Sequence, residues 1–98
     1  MATGIEREIQ EVWEKGQPDK HTDSLKCRRK DACGAWMNRN LYGDRDSLYG
    51  WEINYIDPAG SDDINNLQPL QWENNVDKSD GSLICIVTAI GQENKKIG

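Results

Sequence analysis

The stretch WEINYIDPAGSDDINNLQPLQWENNVDK, residues 51–78, constrains the fold more than any other part of the chain. It opens on a short apolar-polar strand from Trp51, passes through a turn rich in Pro, Gly and Asp, and returns as a second short strand. A helix is expected to follow, opening on Gln71 and Trp72. Strand, turn, strand and helix in that order make a ββα finger, and the rest of the chain has to cover it.

There is room for one such unit, because 98 residues support a single core and not two. No run approaches the ~20 apolar residues of a membrane span, so no membrane partner is expected. Residues 1–15 read as amphipathic rather than as a signal sequence, which points to a cytoplasmic chain. The net charge of -5 argues against a broad hold on nucleic acid, since each phosphate contact calls for a Lys or Arg. Cys27, Cys33 and Cys85 give neither a C-x-x-C pair nor an even disulfide set, and with one His in the chain a Cys/His zinc site lacks ligands. The cysteines read as small buried hydrophobes.

Ahead of the finger, Ile5, Ile9, Val12 and Trp13 recur at helical spacing between charged residues. They predict an amphipathic helix over 1–16, capped by Thr3 and stopped by Gly16 and Pro18, that covers the back of the finger. Residues 17–24 read as a polar loop, with His21 a solvated side chain. Lys26, Arg28, Arg29 and Lys30 form the dense positive patch, either a phosphate-contacting edge or a solvated strand edge that deters pairing. Residues 33–39 and 48–56 are strand candidates, with Ala35, Trp36 and Met37 facing Tyr49, Trp51 and Ile53. Four tryptophans in a chain without Phe supply much of the core's bulk. Residues 83–89 read as a buried strand, and residues 92–98 as a frayed tail. The class is α+β: one small domain over 1–98, with an N-terminal helix, the finger over 51–78 and a C-terminal strand.

The words Cys33-Gly34-Ala35-Trp36, Tyr42-Gly43, Asp46-Ser47, Tyr49-Gly50-Trp51-Glu52-Ile53, Asn66-Leu67-Gln68-Pro69-Leu70 and Trp72-Glu73-Asn74-Asn75 resemble the HNH (His-Asn-His) endonuclease family. The likeness is to its small bacterial branch without zinc knuckles, and it implies the ββα (His-Me) finger. In members that cut DNA, a His ending the first strand is the general base and an Asp before it holds a divalent cation. The Asn opening the N-L-x-x-L word orients that His, and a His or Asn on the helix completes the metal site. Carried onto this chain, Asn66 stands at the orienting Asn and Asn75 at the helix ligand. The Asp-His pair is replaced by Asn54 and Tyr55, and Gln71, a further binding candidate, stands where the branch often has His.

These replacements fall where the chemistry is most sensitive. A phenol titrates near ~10, far above an imidazole, and Asn in place of Asp removes the charge that attracts a hard cation. Asp57, Asp62 and Asp63 either return a carboxylate to the metal position or serve as turn and cap chemistry. The expectation is a catalytically degenerate HNH-fold protein acting as a binding or regulatory module, with no cofactor and with protein or nucleic acid as partner. One alternative is an active DNA endonuclease using magnesium or a similar divalent metal at an unorthodox Asn/Tyr site. The other is a structural or homo-oligomeric protein.

Overall fold

The computed structural model describes residues 4–19, 27–75 and 82–97. In chain order they form α1 (Gly4–Trp13), β1 (Gln17–Pro18), β2 (Arg28–Lys30), β3 (Trp36–Asn38), β4 (Trp51–Tyr55), β5 (Leu67–Gln71), β6 (Val87–Ile90) and β7 (Glu93–Lys96). Short 3-10 turns occupy Arg39–Leu41, Ile64–Asn66 and Trp72–Asn75. All pairing between the strands is antiparallel, in three separate sheets ordered β1-β2-β3, β4-β5 and β6-β7. The expected α+β class of a small domain holds at this level. No helix among the described residues is long and apolar enough to cross a membrane. Thr3, His21 and Lys26 lie outside the described residues.

The helical stripe of α1 engages the core from Ile9 onward. Val12 and Trp13 are buried and Ile9 packs beside them, while Ile5 is 72% exposed and has no part in the core. Their partners are Met37 of β3 and Trp51 and Leu67 of the β4–β5 pair. The Trp13 and Trp51 rings lie 5.1 Å apart, and Tyr42 meets Trp51 edge-on at 4.9 Å. Burial of each large side chain there contributes roughly 1.5–3 kcal/mol. Lys15, just past the helix, donates to the carbonyls of Ile64 and Leu67 and so fixes α1 against β5.

β4 and β5 pair over five residues, from Trp51 opposite Gln71 to Tyr55 opposite Leu67, which is the strand, turn and strand expected from the sequence. The open edge of β5 offers little to a further strand. The Leu67 carbonyl is taken by Lys15, the Gln71 amide donates to Asp31, and Pro69 between them has no N–H to offer. Beyond Gln71 the chain enters a 3-10 turn, Trp72–Asn75, rather than an α-helix opening at Gln71, and the rest of the expected helix lies outside the described residues.

Three other expectations are corrected. The strand containing Trp36 and Met37 forms its ladder with β2, because Asp31 Oδ1 accepts the N–H groups of Cys33 and Ala35 and turns the chain back on itself; what it shares with residues 48–56 is the bond from Asn38 N to Tyr49 O and the packing of Met37 with Trp51, not a strand register. Residues 83–89 are not one buried strand: Leu83 and Ile84 are 40% and 59% exposed, and regular pairing begins at Val87. The polar tail does not fray, since Glu93–Lys96 is β7, joined to β6 across Gly91 at φ 64°. What anchors β7 is an amide rather than apolar area. Asn94 is buried, accepts from Trp36 N at 2.7 Å, and donates to the carbonyls of Trp36 and Leu48.

The cysteines are the largest correction. Cys33 and Cys85 form a disulfide across 52 residues, and only Cys27 is free. In the chain-entropy picture a loop of that size contributes about 4 kcal/mol. The β6 edge facing away from β7 is also occupied. Ala89 N donates to Gly34 O, Thr88 Oγ1 to Cys33 O, and Asn74 accepts from Val87 N and donates to Val87 O.

Two substitutions test this packing by chemical denaturation. Asn94→Ala leaves the buried N–H and carbonyl of Trp36 without the Asn94 amide, while the Leu48 carbonyl keeps Gln71 Nε2, and is expected to cost about 3 kcal/mol; a cost near zero would mean that the tail is not part of the fold. A Cβ at Gly50 would stand 1.7 Å from the Asp44 carbonyl oxygen, so Gly50→Ala is expected to cost about 3 kcal/mol or more.

Candidate functional site

Alternation along β4 sends Asn54 and Tyr55 to opposite faces of the β4–β5 pair. Asn54 joins Glu52 and, from β5, Gln68. Tyr55 faces the α1 side, where its hydroxyl donates to Asp62 Oδ1 in the β4–β5 turn. The two positions matching the family's metal anchor and base therefore have separate surroundings, Asn54 among amides and Tyr55 beside Asp62.

On the Asn54 face a directional chain of hydrogen bonds runs through five side chains. Gln68 Nε2 donates to Asn54 Oδ1 at 2.9 Å, Asn54 Nδ2 to Asn75 Oδ1 at 2.9 Å, and Asn75 Nδ2 to Glu52 Oε1 at 3.0 Å. Arg45 closes the row with a two-pronged pair to Glu52 at 2.7 and 2.9 Å. The direction is set at the Glu52 end. A carboxylate only accepts, so Asn75 turns its NH2 to Glu52 and its oxygen to Asn54, which in turn offers its oxygen to Gln68. Arg45 holds the Glu52 carboxyl below its ordinary value of 4.5; burial acts against this shift and the Asn75 bond reinforces it.

A divalent cation at Asn54 and Asn75 does not fit this arrangement. Both candidate ligand oxygens already accept an N–H, both are neutral, and each would have to leave its donor to face a metal. Among the described residues no group of three or more His, Cys, Asp or Glu is placed to hold a metal ion. The turn carboxylates have other work. Asp57 Oδ1 accepts from Ala59 N, Asp63 Oδ1 accepts from Asn65 N at the start of a 3-10 turn, and Asp62 holds Tyr55. The bond to Asp62, and then its charge, push the Tyr55 phenol above its ordinary range, away from service as a base.

Asn66 serves the turn rather than residue 55. Its Oδ1 accepts from Asp57 N at 2.9 Å and its Nδ2 donates to the carbonyls of Asp57 and Ser61. Gly60 is needed beneath it, because a Cβ there would lie 2.7 Å from Asn66 Nδ2. Gln71 is corrected from a binding residue to a buried one. Its Nε2 donates to Leu48 O, and its Oε1 accepts from Glu73 N.

The positive patch is divided by the alternation of β2. Arg28 stacks 3.9 Å over the Trp36 ring while its guanidinium donates to Gln92 Oε1 and to the Gln92 carbonyl. Arg29 turns the other way and donates to the carbonyls of Glu14 and Gly16 at the end of α1. Lys30 sits 4.8 Å over Trp36 and lines a cleft of about 400 Å³ with Lys15, Gln68 and Pro69. Arg28 and Arg29 thus act within the fold. Asp31, Asn74 and Asn94 were not singled out from the sequence; the one local sign was an Asp two residues ahead of Cys33-Gly34, an Asx-turn position.

The sign of the Glu52 shift gives a test. A folded value below the unfolded one contributes stability that is present above the unfolded pKa and is lost as pH falls through the folded pKa. Stability is therefore expected to drop on acidification below the ordinary Glu range, and Glu52→Gln to flatten that part of the curve. Denaturation midpoints measured against pH check it, and an unchanged slope in Glu52→Gln would remove Glu52 from the account.

Comparison with protein-family models, with curated proteins and with solved structures returned no match to the chain.

Proposed function

We infer that the chain is a non-catalytic binding or regulatory module built on an HNH-like ββα finger, in which the position of the metal has become part of a closed polar row and the position of the base is a phenol on the opposite face. The observation that carries this reading is the amide chain. Asn54 and Asn75, at the positions of metal ligands, satisfy each other and are polarised by Glu52 and Arg45. The raised Tyr55 phenol supports it further, because a hydroxyl that donates to Asp62 is poorly placed to take a proton from water.

A protein partner is favoured over nucleic acid. Arg28 and Arg29, the centre of the basic patch, donate to groups of the same chain, and the net charge is -5. Ile84, Ile90 and Ile97 are 59%, 67% and 54% exposed and offer apolar area of the kind a protein surface covers.

The test is to restore the missing chemistry. The native protein is expected to show no metal-dependent plasmid nicking above background. The double substitution Asn54→Asp, Tyr55→His is expected to bind manganese or magnesium in calorimetry and to acquire weak nicking. Nicking by the native protein that disappears in Tyr55→Phe would overturn the reading and make Tyr55 a working base.

A further inference from the structure

We propose that the Cys33–Cys85 disulfide is a reversible thiol-exchange site, attacked at Cys85 by a low-molecular-weight thiol, whose opening loosens the approach to the C-terminal hairpin and leaves the β4–β5 pair intact. The two cysteines stand in unequal surroundings. Cys33 is half-buried in the β2–β3 turn, where its N–H donates to Asp31 Oδ1 and its carbonyl accepts from Thr88 Oγ1. Cys85 is exposed, and so are its neighbours Leu83 and Ile84, which belong to no strand. A thiolate therefore reaches Cys85 without any element unfolding, and access of this kind separates exchangeable disulfides from inert ones.

The exchange balances with two external thiols. The first thiolate bonds to Cys85 Sγ, the Cys33–Cys85 bond breaks, and Cys33 leaves as a thiolate. The second attacks the small-thiol sulfur of the mixed disulfide and releases Cys85, and the two external thiols depart as their own disulfide. Two electrons pass to the protein, and each cysteine sulfur takes up a proton from solvent. Cys27 does not act as an internal second thiol. It lies at the open end of the β2–β3 hairpin, where its carbonyl accepts from Arg39 N, while Cys33 lies at the turn.

The consequence is local. With the bond open, the first main-chain anchors of the segment are Ile86 N and Val87 N, both donating to Asn74 Oδ1 at 2.7 and 2.8 Å. Asn74 Nδ2 to Val87 O and Ile97 N to Ile86 O hold the same two residues, so the tether narrows to the contacts of residues 86 and 87. The β4–β5 ladder, from Trp51 opposite Gln71 to Tyr55 opposite Leu67, contains neither cysteine and keeps its own hydrogen bonds.

Glutathione is the probe. The full oxidised chain is incubated with it, quenched in acid with a maleimide, and mapped by mass spectrometry, with hydrogen exchange measured before and after reduction. The expected result is a glutathione adduct on Cys85 formed without denaturant, then exchange at Ile86 and Val87 that speeds up by about tenfold more than any change at the β4–β5 amides. An adduct on Cys33, or reaction only at the rate of global unfolding, would overturn the proposal. So would unchanged exchange at Ile86 and Val87, or a rise across β4–β5 as large as theirs. The variant Cys33→Ser, Cys85→Ser is expected to fold and to match the reduced protein. If it does not fold, the bond is a folding staple and the proposal fails.

Discussion

Asp31 is a point at which three pieces of this structure meet. It is buried, and its two carboxylate oxygens accept four hydrogen bonds: from Cys33 N and Ala35 N on one, and from Gln71 N and Asn74 Nδ2 on the other. The first pair closes the β2–β3 turn. The second pins the end of β5 and the 3-10 turn after it. Asn74 then passes the connection on, accepting from Ile86 N and Val87 N and donating to the Val87 carbonyl, so that the C-terminal hairpin is tied in as well. Three small sheets that share no strand are joined in this way through side chains. A carboxylate so placed is stabilising only because all its partners are present, since removing one end leaves buried donors with nothing to meet.

This explains which parts of the fold were legible. β4, its turn and β5 could be read because alternation and turn residues are local signals, and α1 because its apolar spacing is helical. Of the four tryptophans assigned to the core, those at 13, 36 and 51 are buried and Trp72 is half-buried. The C-terminal hairpin was misjudged because composition registers apolar area, and the segment around Asn94 has little; its anchor is an amide whose acceptors and donors lie more than 40 residues away in sequence. The disulfide escaped for a similar reason. Three cysteines leave one unpaired whatever the fold, and nothing local marks Cys27 as the odd one or sets Cys33 beside Cys85.

At the candidate site the sequence named positions and left their state open. Asn54, Asn75, Asn66 and Gln71 all carry specific hydrogen bonds, yet each faces a partner in the chain rather than a ligand. Glu52 and Arg45 decide this, because their ion pair polarises the row and fixes which way each amide points. The basic patch has the same character. Alternation along β2 gives Arg28 to Trp36 and Arg29 to the end of α1, and no reading of charge alone assigns those partners.

The account therefore depends on Asp31 and Asn74 acting as one unit. The direct measurement is a double-mutant cycle, with Asp31→Ala, Asn74→Ala and the pair compared by urea denaturation. Each single substitution is predicted to destabilise strongly, and the double to cost less than their sum by about 1.5–3 kcal/mol, because the second loss removes partners already orphaned by the first. Costs that add to within about 0.5 kcal/mol would show that the two residues act independently, and that the three sheets are held together by something other than this carboxylate.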